Sequence, residues 1–173
     1  MSQTKKLAIV YACLQLLSIT FVVGTAQNFP MVVASHFDLA GQANATMPRE
    51  QFILVYLALM VLLPGLMVLL PRILAKLPHQ FINIPHRSFW LASKKIDETL
   101  QVFQKYFLVL ASLLSCFLAV MYWLVMQAHL QSPPQVSTKY LLVATAVFVL
   151  LTLYGSFRLN LKFRKLPEAD VHK

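Results

Sequence analysis

Apolar residues gather in four long runs, about Leu7–Ala26, Phe52–Leu70, Tyr106–Ala128 and Tyr140–Phe157, none of which holds a charged side chain. An α-helix of about 20 residues crosses a hydrocarbon core of about 30 Å. The pattern predicts four transmembrane helices in one integral membrane domain over 1–173, with an all-α fold. The first run is too long for the apolar core of a secretory signal, about 7–15 residues, so it is expected to be a retained helix.

The polar intervals shape the rest. In segment 27–49, Phe29-Pro30 should end the first helix, because proline fixes its own φ and pushes the preceding residue toward extended geometry. Val32, Val33 and Phe37 then favour a short strand. Strand alternation over 32–38 would place Val32, Ala34, His36 and Asp38 on one face, and Val33, Ser35, Phe37 and Leu39 on the other. Gly41 and Asn44 suit a turn. Thr46-Met47-Pro48-Arg49-Glu50 reads as the start of the second helix, with Pro48 in its first turn and Glu50 opposing the helix dipole. The second run contains Pro64-Gly65, a kink read as a packing feature. In the connection 71–105, Ser93 is a good N-cap, and Ile96, Leu100, Phe103 and Phe107 recur at helical spacing. An amphipathic helix running into the third span is expected there. Gln15, Ser18, Thr20 and Thr25 in the first run should bond to other helices or to the backbone, with Gln15 facing a neighbouring helix.

Composition agrees: 58% of residues are hydrophobic, and mean hydropathy is +0.66. Charge adds orientation, since Lys and Arg number 15 against 6 Asp and Glu. Lys5, Lys6, Arg72, Lys76, Arg87, Lys94, Lys95, Lys105, Arg158, Lys162, Arg164, Lys165 and Lys173 fall on one side of the four spans, leaving only Arg49 and Lys139 on the other. Positive residues stay cytoplasmic. Both termini are therefore expected inside, segment 27–49 outside, and the tail 158–173 on anionic lipid of the inner leaflet. The basic residues hug helix ends without a recognition motif, so no nucleic-acid partner is expected. Cys13 and Cys116 lie within spans and read as small apolar packing residues.

Little chemistry stands out. No span carries an Asp, Glu, Lys, Arg or His near its centre, which argues against an ion-coupled pump or proton relay. No phosphate loop, nucleophile elbow or zinc-protease helix occurs, and no cofactor is indicated. If residues 35 and 36 alternate across a strand, Ser35 and His36 cannot form a nucleophile–base pair. A metal set of His36, Asp38 and His129, with Glu50 as a further donor, is the sharpest chemical alternative, because zinc takes N and O ligands in tetrahedral array. It would serve a small-solute transporter or a metal-dependent membrane enzyme. The leading expectation is non-catalytic: Pro30, His36, Asp38, Gly41 and Asn44 in an outer loop that contacts a ligand or partner. On the inner side, Asn83, Pro85, Arg87 and Trp90 suit membrane-interface anchoring.

Pro30, His36, Phe37, Gly41 and Asn44, in that order, give the loop a pattern that resembles a bacterial membrane family of unknown function, in which a first span precedes an outer Leu-Pro…His-Phe…Gly…Asp loop. The same module forms the N-terminal part of SdpI-like proteins, some of which act in immunity to, and signalling of, a secreted peptide toxin. Asn44 stands in place of the family's Asp. The segment Asn83-Ile84-Pro85-His86-Arg87-Ser88-Phe89-Trp90 also resembles the Asn-x-Pro-x-Arg-x-aromatic-Trp pattern of small members, although a Pro usual near Ser93 is missing. The likeness covers about Leu7 to Thr99. It implies a protein of the bacterial cytoplasmic (inner) membrane, with sensing or immunity as its role and a peptide or an envelope protein as its partner; a second copy is a further expected partner, because four helices alone enclose little volume.

Overall fold

The computed structural model describes residues 1–166 and, for His79, the backbone only. Four helices are long and apolar enough to cross a membrane: α1 (Gln3–Thr25), α2 (Arg49–Leu74), α4 (Ile96–Ala128) and α5 (Thr138–Arg164). A short helix α3 (Arg87–Trp90) precedes α4, and strands β1 (Val32–Phe37) and β2 (Ala43–Pro48) form an antiparallel hairpin between α1 and α2. The part of the expected tail at 167–173, with Lys173, lies outside the described residues.

All four long helices outrun their apolar runs in at least one direction. The amphipathic segment before the third run does continue into it, as one 33-residue helix. Ser93 is not its cap. The chain turns at 91–95, where the Ala92 carbonyl accepts from the Lys95 and Ile96 amides at 2.8 and 3.0 Å, and Asp97 and Glu98 then sit in the first helical turn. The described part of the tail does not start a separate segment at residue 158. Residues 158–164 extend α5, because Phe163 has a buried place against Trp90 and Phe103.

Helix α4 is the hub. Helices α1 and α2 each pack along it while touching one another sparingly, and α5 lies chiefly on α4 alone. Small residues permit the last contact: a Cβ on Gly155 would come 3.4 Å from the Tyr106 ring, and Tyr106 Oη lies 2.7 Å from Ser156 Oγ. Cys13 and Cys116 are exposed on the helix surface, so the expected packing role is corrected.

Halfway along, one polar bridge joins three helices. Pro64 lacks the N–H that would bond the Met60 carbonyl one turn earlier, leaving that oxygen free inside α2. Gln15 of α1 supplies the donor, with Nε2 2.8 Å from Met60 O. Its Oε1 accepts from Ser115 of α4 at 2.6 Å, and the same hydroxyl lies 2.9 Å from the Ala111 carbonyl. Met60, Pro64 and Ser115 are fully buried. Gln15 thus faces other helices, as its sequence context predicts.

Candidate functional site

The hairpin stands at the start of α2, the end of the bundle opposite Arg72 of α2 and Arg158, Lys162 and Arg164 of α5. Asp38 builds its turn. Oδ1 accepts from the Ala40 and Gln42 amides, both at 2.9 Å, and the Asp38 amide and carbonyl pair with Gln42 O and the Gly41 amide. Gly41 adopts φ +80°, a left-handed conformation that other residues enter with strain. A side chain there would also collide with the Val136 carbonyl oxygen, and the Gly41 carbonyl accepts from the Val136 amide at 2.9 Å. Gly41 therefore both turns the hairpin and docks it against the chain leading into α5.

A second brace comes from α4. His129 Nε2 accepts from the buried Ala34 amide at 2.9 Å, while Nδ1 lies 2.8 Å from the Val125 carbonyl. Those partners assign the neutral ring with its proton on Nδ1, since Nε2 must offer a lone pair. A third brace is Arg49, whose amide bonds the Met31 carbonyl at 2.9 Å and whose Nη1 donates to the Phe29 carbonyl at 3.2 Å. Below, Phe29, Phe52, Tyr56, Tyr122 and His129 form a cluster of rings with centroids 5.2–5.6 Å apart in consecutive contacts. The Tyr122 hydroxyl donates to Val22 O at 3.1 Å, and Tyr56 donates to Leu118 O at 2.7 Å. This apolar plug, with Val33 buried in it, is the floor of the hairpin.

The expected alternation fails at Ser35. Ala34 pairs with Thr46 and His36 with Ala45, so a bulge leaves Ser35 without a partner and turns the strand. Ser35 Oγ and His36 Nδ1 then lie 3.1 Å apart, not on opposite faces. Both groups are solvent-accessible, and among the described residues no third side chain orients the imidazole, so the pair lacks the arrangement that activates a nucleophile. The metal set is also corrected. Among the described residues, no three His, Cys, Asp or Glu side chains gather closely enough to hold an ion. His129 spends both ring nitrogens on backbone groups, and Asp38 is folded into the turn. Glu50 is exposed in the first turn of α2.

The predicted loop residues therefore divide. Asp38 and Gly41 build the hairpin, whereas Pro30, His36 and Asn44 are exposed around it. They are joined by large apolar side chains open to solvent: Leu39 at the tip, 98% exposed, and Met31 and Val32 at 69% and 60%. Segment 43–47 is strand, not the expected turn and helix approach, and α2 begins only after Pro48. The missed signal was the five-residue interval Asp38-Leu39-Ala40-Gly41-Gln42, whose Asp and Gly mark a longer hairpin loop.

At the opposite end, Trp90 is buried. Its Nε1 donates to the Phe163 carbonyl at 2.8 Å, and its own carbonyl accepts from Thr99 Oγ1 at 2.7 Å. Arg87 reaches the Gln80 carbonyl at 3.2 Å, while Asn83 is exposed and Pro85 half-buried. Trp90 thus clasps the end of α5 to the start of α4, and the four motif residues do not meet in one pocket. No protein-family model, curated protein or solved structure matches this chain.

Proposed function

We propose that this is a non-catalytic, multi-pass protein of the bacterial cytoplasmic membrane, both termini inside, whose outer hairpin contacts a peptide or envelope partner. One observation carries this reading: a hairpin fixed at three places nevertheless exposes Leu39, Met31 and Val32 beside His36 and Asn44. Solvated apolar side chains on a pre-organised frame bind at low entropic cost. The collection of basic residues at the far end of the spans supports the orientation. Likeness of the loop to the SdpI-associated module supports sensing or immunity toward a secreted peptide as the role.

The test is complementation. A strain lacking the gene receives the wild-type chain, a Leu39→Asp, His36→Ala double variant, or an empty vector, and is scored for envelope stress and sensitivity to secreted peptides. The expected result is a phenotype restored by wild type and not by the variant at equal membrane abundance. Restoration by both would remove the hairpin from the function.

A further inference from the structure

At the basic end, a cleft of about 380 Å³ opens between the last turns of α2 and the first turns of α4. Its polar wall carries Arg72, Asp97, Gln101 and Gln104, and Val68 and Leu100 contribute apolar wall. Arg72 lies two residues past the apolar run of α2, and Asp97 lies in the amphipathic segment that leads into the apolar part of α4. In a four-span protein the cleft lies where hydrocarbon gives way to headgroups.

Arg72 and Asp97 have opposite charge and line the same space, yet they form no ion pair with each other; among the described residues the ion pair formed is Lys95–Glu98, at 3.4 Å. Nor do the side chains of Arg72, Asp97, Gln101 and Gln104 form hydrogen bonds with other described residues. A guanidinium and a carboxylate facing one cleft, too far apart to pair, match a zwitterion whose own charges are separated by a short linker. A guanidinium forks onto a phosphate, and a carboxylate accepts from an ammonium.

We propose that this cleft is a binding site for an aminophospholipid of the phosphatidylethanolamine type. The phosphate sits on Arg72, the primary ammonium on Asp97, the side-chain amides of Gln101 and Gln104 bond the headgroup oxygens, and one acyl chain lies along Val68 and Leu100. A choline headgroup fits less well, because its quaternary nitrogen carries no N–H to donate to the carboxylate.

Native mass spectrometry of the full chain, offered phosphatidylethanolamine, phosphatidylcholine and phosphatidylglycerol of matched chains, tests the site. The unaltered protein is expected to retain phosphatidylethanolamine about fivefold over phosphatidylcholine, the scale of about 1 kcal/mol. Asp97→Asn should abolish that preference without lowering retention of phosphatidylglycerol, whereas Arg72→Gln should lower retention of both phosphatidylethanolamine and phosphatidylglycerol. Equal retention of all three lipids, preferential retention of phosphatidylglycerol, or a preference that survives Asp97→Asn overturns the proposal. Unchanged thermal unfolding of the variants establishes that they fold; should Asp97→Asn fail to fold, the three-lipid comparison on the unaltered chain decides alone.

Discussion

Replacing Gln15 by Leu tests why α1, α2 and α4 hold together at mid-depth. The substitution keeps volume and removes two interhelical bonds, to Met60 O and from Ser115. Such bonds in membrane proteins are worth about 0.6 kcal/mol on average and up to about 1.7. The Met60 bond belongs near the upper figure, because Pro64 leaves that buried carbonyl without a helical donor and an unsatisfied group costs about 1–3 kcal/mol. The expected loss is about 2 kcal/mol. In a Pro64→Ala background residue 64 regains its N–H and can satisfy Met60 O within α2, so Gln15→Leu should then cost only about 1 kcal/mol. Reversible unfolding of the four proteins in micelles, analysed as a double-mutant cycle, measures the difference directly. Independent sites add to within about 0.3–0.5 kcal/mol. Costs that agree within that margin in both backgrounds would refute the account of Gln15 as the donor that Pro64 removed.

Other sites give sharper local readouts. His129→Ala strands the buried Ala34 amide and should cost about 1–3 kcal/mol, visible as faster hydrogen exchange in 32–37 than in α5. Gly41→Ala should release the hairpin from Val136 and make 38–43 susceptible to proteolysis, with α1 to α4 still folded. Trp90→Phe preserves ring packing but removes the donor to Phe163 O, so thermal stability should fall by about 1 kcal/mol and spin labels at the end of α5 should gain mobility. His86, at φ +51°, should accept Gly with a gain of up to about 1 kcal/mol and lose stability as Val, which chemical unfolding would register.

The spans were legible because a charge-free run of helical length has few alternatives, and the inward turn of Gln15 was legible because an amide is costly in lipid. Details that depend on a distant partner were not. Nothing near His129 says that its Nε2 caps an amide of β1, and nothing near Trp90 points to Phe163. The apolar–basic alternation of 158–165 fits an interfacial segment as well as a helix held by one buried Phe. At Ser35 the period-2 rule gave the wrong face because a bulge cannot be read from one strand alone; it exists only in the register with β2, whose small residues Ala43 and Ala45 carry little strand signal. The predicted metal set failed for the same reason: His129 reached the hairpin, but as a hydrogen-bond acceptor.

The position of the braces along the chain sets a timetable. His129 lies 95 residues beyond the Ala34 amide that it holds, and Val136 follows it. At synthesis rates of about 5–20 residues per second, the hairpin and its Arg49 brace emerge about 5–20 s before the His129 and Val136 braces exist. Until α4 is inserted, α1 and α2 also lack the helix on which they both lean. The exposed hairpin is thus fully braced last although its strands are made early, and a nascent chain halted before α4 would hold it by the Asp38 turn and Arg49 alone.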